Sequence, residues 1–221
     1  MIFPTEQCAS HLEPLTRTAD NAAMYAALMA AGCTHEICEQ FGSTVPGYRL
    51  IRVDDRLKAV AGNDFEIALV DDSSKSIAYY AKVTSVDFPC IGDRTVVRHQ
   101  IWRSADIRHT QALLDISQGV LFSYLVKHYD ILLDEAGITG GGRFYWSRQI
   151  SRAIDDGLDV YLYEPATRAL RPIPTQSVLN GIENQNSAGS SQDPLLALIS
   201  SCTRQTRRGK KPQCEARGIN V

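Results

Sequence analysis

The sequence predicts an α+β domain: a mostly antiparallel, twisted sheet flanked by helices, followed by a basic C-terminal tail. Three observations predict it. Between Tyr48 and Arg103, short runs rich in β-branched and aromatic residues alternate with Gly62-Asn63-Asp64 and Asp71-Asp72-Ser73-Ser74, which are turn chemistry between antiparallel strands. Before and after that stretch, apolar residues recur at helical spacing. The third is charge. The 221-residue chain has a formal net charge of −2, yet from Leu196 onward Arg204, Arg207, Arg208, Lys210, Lys211 and Arg217 face Glu215 alone, a balance of +5 that leaves −7 for the rest.

The elements follow in order. Asp20 to Ala31 is a helix with Met24, Leu28 and Ala31 on one face, stopped by Gly32. Thr34 caps a second short helix ending near Phe41, with Glu36 in its first turn. Strands are expected over Tyr48–Val53 (Tyr48, Leu50 and Arg52 to one side), Leu57–Val60, Glu66–Val70, Ser76–Val83 and Val96–Arg103. Gln111–His128 reads as a long helix whose Leu114, Val120, Leu121, Leu125 and Val126 face the sheet. Asp130–Asp134 is a short, buried type of strand. Trp146, Ile150, Ala153 and Ile154 recur at i, i+4, i+7 and i+8, the stripe of an amphipathic helix that Gly157 ends. Asp159–Tyr163 and Ala169–Ile173 form a hairpin around Glu164–Arg168. Residues 1–175 thus make one domain. Residues 176–193, with the run "NGIENQNSAGSSQD", read as a polar linker, and 194–221 as a short helix over Pro194–Ser200 followed by a flexible basic tail.

Composition narrows the function classes. Hydrophobic content of 44% and charged content of 22% are those of a globular protein. No apolar run approaches the ~20 residues of a membrane helix. Met1–Ser10 lacks the basic region and apolar core of a signal peptide, so the expected address is the cytoplasm, with no membrane insertion. The six cysteines are sparse and expected to be reduced thiols. Cys33 and Cys38 flank His35 and Glu36, but no CxxC pair and no second cluster completes a metal site, and the five histidines lie apart; no metal is expected. Neither a G-x-S-x-G elbow nor H-E-x-x-H occurs. An acidic body is a poor nucleic-acid binder, and the tail from Arg204 to Lys211 is where any such contact would fall.

The run Gly140-Gly141-Gly142 raises the question of a phosphate cradle. A Walker loop needs Gly-Lys-Ser/Thr, and Arg143-Phe144-Tyr145 stands there instead; a G-x-G-x-x-G spacing is also absent. The glycines suit a sharp turn from strand into helix, after which Trp146 lands on the sheet as a core anchor; the alternative is an anion held at the helix N-terminus by the glycines and Arg143.

The order of early helices, antiparallel strands, long helix, strand, helix and hairpin resembles the GNAT (N-acetyltransferase-like) superfamily over roughly Ala19 to Thr175. A local pattern adds to it. Leu132-Leu133-Asp134, Thr139-Gly140-Gly141-Gly142 and Trp146 are similar to the fifth strand, T-x-G-G bend and helix-borne tryptophan of phage and plasmid members of that superfamily. The resemblance implies an acetyl-CoA site at the start of the long helix, where such enzymes carry a Q/R-x-x-G-x-G/A turn. Here that region is "IWRSADIRHTQALLD", in which Arg103 stands for the leading basic residue and Arg108 and His109 add positive groups, while both glycines are missing and Asp106 puts a negative charge beside an incoming pyrophosphate. It further implies a carboxylate base, with Glu66 and Asp87 as candidates, and a tyrosine acid, with Tyr124 and Tyr129 as candidates. The bland alternatives are a surface strand residue for Glu66 and packing groups for the tyrosines.

With the glycine pair lost, the expected function is non-catalytic. A GNAT-like scaffold without a cofactor would bind another protein and regulate a bacterial mobile element, for example as a plasmid fertility-inhibition protein acting on a conjugation coupling protein. The alternative is a divergent acetyl-CoA-dependent N-acetyltransferase.

Overall fold

The computed structural model describes residues 12–38, 45–54, 56–57, 64–88, 93–134, 142–164, 166–187 and 195–201. A short 3-10 turn, Glu13–Thr16, leads into α1 (Thr18–Met29) and β1 (Thr34–Glu36). The strands β2 (Tyr48–Asp54), β3 (Phe65–Asp71), β4 (Ser76–Ser85) and β5 (Val96–Arg103) follow. A continuous helix comes next, built as α2 (Ile116–Gln118), a π-helical stretch Gly119–Leu125 and α3 (Val126–His128). The chain continues through β6 (Asp130–Asp134), α4 (Gly142–Asp155), β7 (Asp159–Glu164), β8 (Ala169–Pro172), α5 (Gln176–Ser187) and β9 (Leu196–Ser200).

The fold class is α+β, around one nine-stranded sheet in the order β1-β2-β3-β4-β5-β6-β9-β7-β8. All its pairings are antiparallel except β5 with β6. One face carries Leu50, Ile67, Leu69, Tyr79, Val97, Ile131 and Leu133 under the α2–α3 helix, α4 and α5. The opposite face of β2–β4 carries Ile51, Val53, Val70, Ile77 and Tyr80 under α1. β3 is covered on both sides, and all seven of its residues are buried. A buried amide pins α1 down. Asn21 accepts from Ile77 N at 2.7 Å and donates to Ile77 O at 3.0 Å, filling a strand residue's donor and acceptor as a neighbouring backbone would. Trp146, Ile150 and Ala153 are fully buried, as their spacing predicts.

Several expectations are corrected. The second early helix is the strand β1: Thr34 Oγ1 donates back to Leu28 O and Ala31 O, closing α1 instead of opening a helix, and Ile37 N donates to Leu50 O. The long helix starts at Ile116 rather than Gln111, because Asp115 takes a left-handed φ of 55° that ends the preceding turn. The segment read as a linker contains α5, which buries Leu179 and Ile182, an i, i+3 pair, against the core. Pro194–Ser200, read as a helix, holds β9. Its Leu-Ala-Leu-Ile run suits either state, and the vacancy between β6 and β7 decides for a strand. The sheet therefore draws a strand from beyond the boundary expected at residue 175. The strand expected over Leu57–Val60 (beyond Leu57 itself, which is in a bend), the Gly140-Gly141 bend and the flexible tail after Ser201 lie outside the described residues. No described helix is long and apolar enough to cross a membrane.

Candidate functional site

β5 and β6 run side by side for only three residue pairs, Val96 with Asp130, Val97 with Ile131 and Arg98 with Leu132. Beyond them β5 stays paired to β4 through Arg103 with Tyr79, and β6 pairs with β9 through Asp134 with Leu196. The two parallel strands thus part, with Arg98 ion-paired to Asp134 near the fork.

The turn after β5 leads from the fork to the helix, and much of its backbone is engaged within the chain. Ser104 N donates to Ala78 O, Asp106 N to Ser104 Oγ and Arg108 N to Asp106 Oδ1. The amides of His109, Thr110, Leu113, Leu114 and Ile116 each donate to a carbonyl within the turn. The cations are engaged as well. Arg103 donates to Leu113 O at 2.9 Å, and Arg108 grips Asp106 at 2.6 and 2.9 Å. That grip holds the half-buried Asp106 carboxyl at about 2, below the usual carboxylate range. His109 is buried, with Nδ1 2.9 Å from the Tyr48 hydroxyl.

Several buried polar atoms have no hydrogen-bond partner among the described residues, His99 Nδ1, Gln118 Oε1, Trp146 Nε1 and Gln149 Oε1 among them. They come from β5, α2 and α4. The other ring nitrogen of His99 is 3.4 Å from the Tyr145 hydroxyl. Burial holds this imidazole neutral, lowering it to about 4, and pushes the Tyr145 and Tyr79 phenols up. An orphaned buried polar group costs roughly 1–3 kcal/mol, so each is a place where a polar ligand or ordered water gains. Sequence reasoning passed over His99, Gln118 and Gln149 as site residues and took Trp146 as a core anchor alone. The one local signal was Gln149, a polar residue three positions after Trp146 on the buried stripe of α4.

A groove of about 860 Å³ opens on the same side of the sheet, between the turn into α2 and the outer face of α4. Tyr48, Leu50 and Leu69 form its floor.

The other candidates fall elsewhere. Glu66 is fully buried on the α1 face, where Oε2 accepts from Arg56 Nε at 2.6 Å and Oε1 accepts from Arg56 and the Tyr80 hydroxyl. Its carboxylate is an internal anchor with its near partners engaged, not the surface strand residue considered from the sequence. Asp87 is exposed in the segment after β4. Tyr124 and Tyr129 are brought together, both hydroxyls accepting from Arg52 Nη1 at 2.8 and 3.3 Å. That guanidinium also lies 3.8 Å above the Phe65 ring. The tyrosines are therefore gathered on β2, and Glu66 lies on the opposite face of the sheet. Among the described residues no group of His, Cys, Asp or Glu gathers as a metal site. No protein-family model, no curated protein and no solved structure matches the chain.

Proposed function

We propose that this chain is a GNAT-like scaffold that does not transfer acyl groups and acts by binding another protein. In this reading it is an inhibitory or regulatory factor of a bacterial mobile element. Plasmid fertility inhibition, directed at the coupling protein of a co-resident conjugative plasmid, is its concrete form. The parting of the parallel pair β5–β6 and the strand inserted beside β6 suit a GNAT-like sheet. What carries the non-catalytic reading is the turn from Ser104 to Ile116. A pyrophosphate is held by free backbone amides and unpaired cations, and here eight amides, Arg103 and Arg108 are spent within the chain.

The test is calorimetric titration of the full chain with acetyl-CoA, beside a mating assay in which the chain is expressed with a conjugative plasmid. The expected results are no binding heat and a fall in transfer frequency. Low-micromolar acetyl-CoA binding, or unchanged transfer, overturns the reading.

One observation favours a second reading, a divergent acetyl-CoA-dependent N-acetyltransferase. The unpartnered atoms of His99, Gln118, Trp146 and Gln149 offer both donors and acceptors to a neutral, amide-bearing chain such as the cofactor's arm. The same titration, followed by mass spectrometry of acceptor proteins for added acetyl groups, decides between the two.

A further inference from the structure

The helix after β5 is out of step with its own sequence. Leu114, Gln118, Leu121 and Leu125 stand at i, i+4, i+7 and i+11, one face of a straight α-helix. In the structure Leu121 and Leu125 are buried, whereas Leu114 is 74% exposed and its neighbour Leu113 takes the core place at 4%. The slip is one residue, and two features beside it match that count. The stretch Gly119–Leu125 is π-helical, so it takes up about one residue more than α-helical turns would. Asp115, without a glycine's freedom, holds a left-handed φ of 55°. The two ends of the helix are held unequally. Past Leu125, Arg94 donates to Val126 O and Tyr129 O at 2.6 and 2.8 Å, and Ser201 Oγ donates to Val126 O at 3.0 Å. Ahead of Gly119, α2 has no side-chain cap, Gln118 Oε1 is buried without a partner among the described residues, and Arg103 grips Leu113 O at 2.9 Å.

We infer that residues 111–128 form a switch between two helix registers. The observed register keeps the π-helical turn, with Leu113 inside and Leu114 outside. In the second, the extra residue passes toward the N-terminus, Asp115 takes right-handed helical angles, and α2 extends back to Gln111 as a straight α-helix with Leu114 inside. Leu113 O then accepts from the Ser117 amide, four residues on, in place of Arg103. Arg103 is thus the latch of the observed register. Passing one residue through a helix turns and advances everything ahead of it by one position, roughly 100° and 1.5 Å. Gln111, Leu114, Asp115, Ile116 and Gln118 all line the groove beside α4, so the change rebuilds that wall. Opposing contributions keep the two registers close. One leucine replaces another in the core, and straightening relieves Asp115 and the π turn while giving up the Arg103 bond. Gln118, a polar residue on the inner stripe of the second register, keeps that register the minor one. The switch depends on backbone register alone and operates whether or not acetyl-CoA binds.

The experiment is NMR saturation transfer on the isotope-labelled full chain, read at the backbone Cα shifts, which report the angles of a minor state in slow exchange. Residues 111–115 of the wild type are expected to exchange with a state of helical shifts, while Val126–His128 stay silent. Asp115→Ala penalises the left-handed angles and favours helix, and is expected to raise the population of that state about fivefold or more. Asp115→Gly adopts the left-handed angles freely and is expected to lower it. Leu114→Ser spoils the core face of the second register only, and added to Asp115→Ala it is expected to reverse the gain. Both positions are exposed in the observed register, and circular dichroism verifies folding. A helical minor state seen in Asp115→Ala alone also supports the switch, with the second register too sparse to detect in the wild type. A minor state absent from both wild type and Asp115→Ala, one with the shifts of a disordered chain, exchange that runs equally through Val126–His128, or a gain that survives Leu114→Ser overturns the inference.

Discussion

His99 gives a quantitative handle on the region beside the fork. Its imidazole is enclosed between β5 and α4, one nitrogen lacks a partner, and burial alone lowers its pKa from 6.5 to about 4. The folded chain therefore holds it neutral, while the unfolded chain takes up a proton once the pH drops below about 6.5. The associated stability is complete above that value, declines as the pH falls, and levels off below about pH 4. At roughly 1.4 kcal/mol per unit, the span amounts to about 3 kcal/mol, of which about 2 is already lost at pH 5. That is a sizeable share of a total stability of ~5–15 kcal/mol. The perturbation is His99→Gln, which keeps a polar side chain and removes the titration. The assay is urea unfolding followed by tryptophan fluorescence, which Trp146 reports from the core, at a series of pH values. Carboxylates titrate in both chains, so the difference between wild type and variant isolates the imidazole. The wild type is expected to lose about 2 kcal/mol more than the variant between about pH 7.5 and 5. Parallel curves would refute the reasoning, since they require an imidazole that protonates equally in both states.

Three further outcomes are expected. Glu66→Ala removes the anion that holds Arg56 and the Tyr80 hydroxyl, and should cost about 3–5 kcal/mol in urea unfolding; a loss under about 1 kcal/mol would show that the contact is not formed. Ile182→Asp puts a carboxylate where α5 meets the core, and should destabilise by more than about 2 kcal/mol, whereas a solvated linker would tolerate it within about 0.5. Asp106→Gly removes the acceptor of the Arg108 amide and frees the guanidinium, so inorganic pyrophosphate should bind the variant more tightly than the wild type in calorimetric titration; equal affinity would mean that Asp106 is not what closes the turn.

The middle of the sheet was legible because each strand carries its own pattern. Val96–Arg103 is a strand with the same ends in sequence and structure, since alternation and flanking turns are local properties. The α4 stripe was legible for the same reason. β1 has only three residues and exists through its pairing with β2, which no local pattern announces. α5 hides two core residues among polar ones, with Gly181 between them, so composition masked its periodicity. At the turn, Arg103, Arg108 and His109 are close in sequence and were recognised as a basic group. What neutralises their availability is partly distant: Tyr48, which meets His109, is on β2. The unpartnered atoms come from three elements and share no spacing, so only coordinates reveal them.

The position of β9 has a consequence for synthesis. The strand that joins β6 to β7 is made after both, from Leu196–Ser200. A nascent chain that has completed the hairpin of β7 and β8 still has its sheet in two unconnected panels, each with a bare, adhesive edge. At about 5–20 residues per second, that interval lasts on the order of seconds. Like the keystone of an arch, the last strand ends the exposure, and a chain cut short before it would be left with both edges open to neighbours.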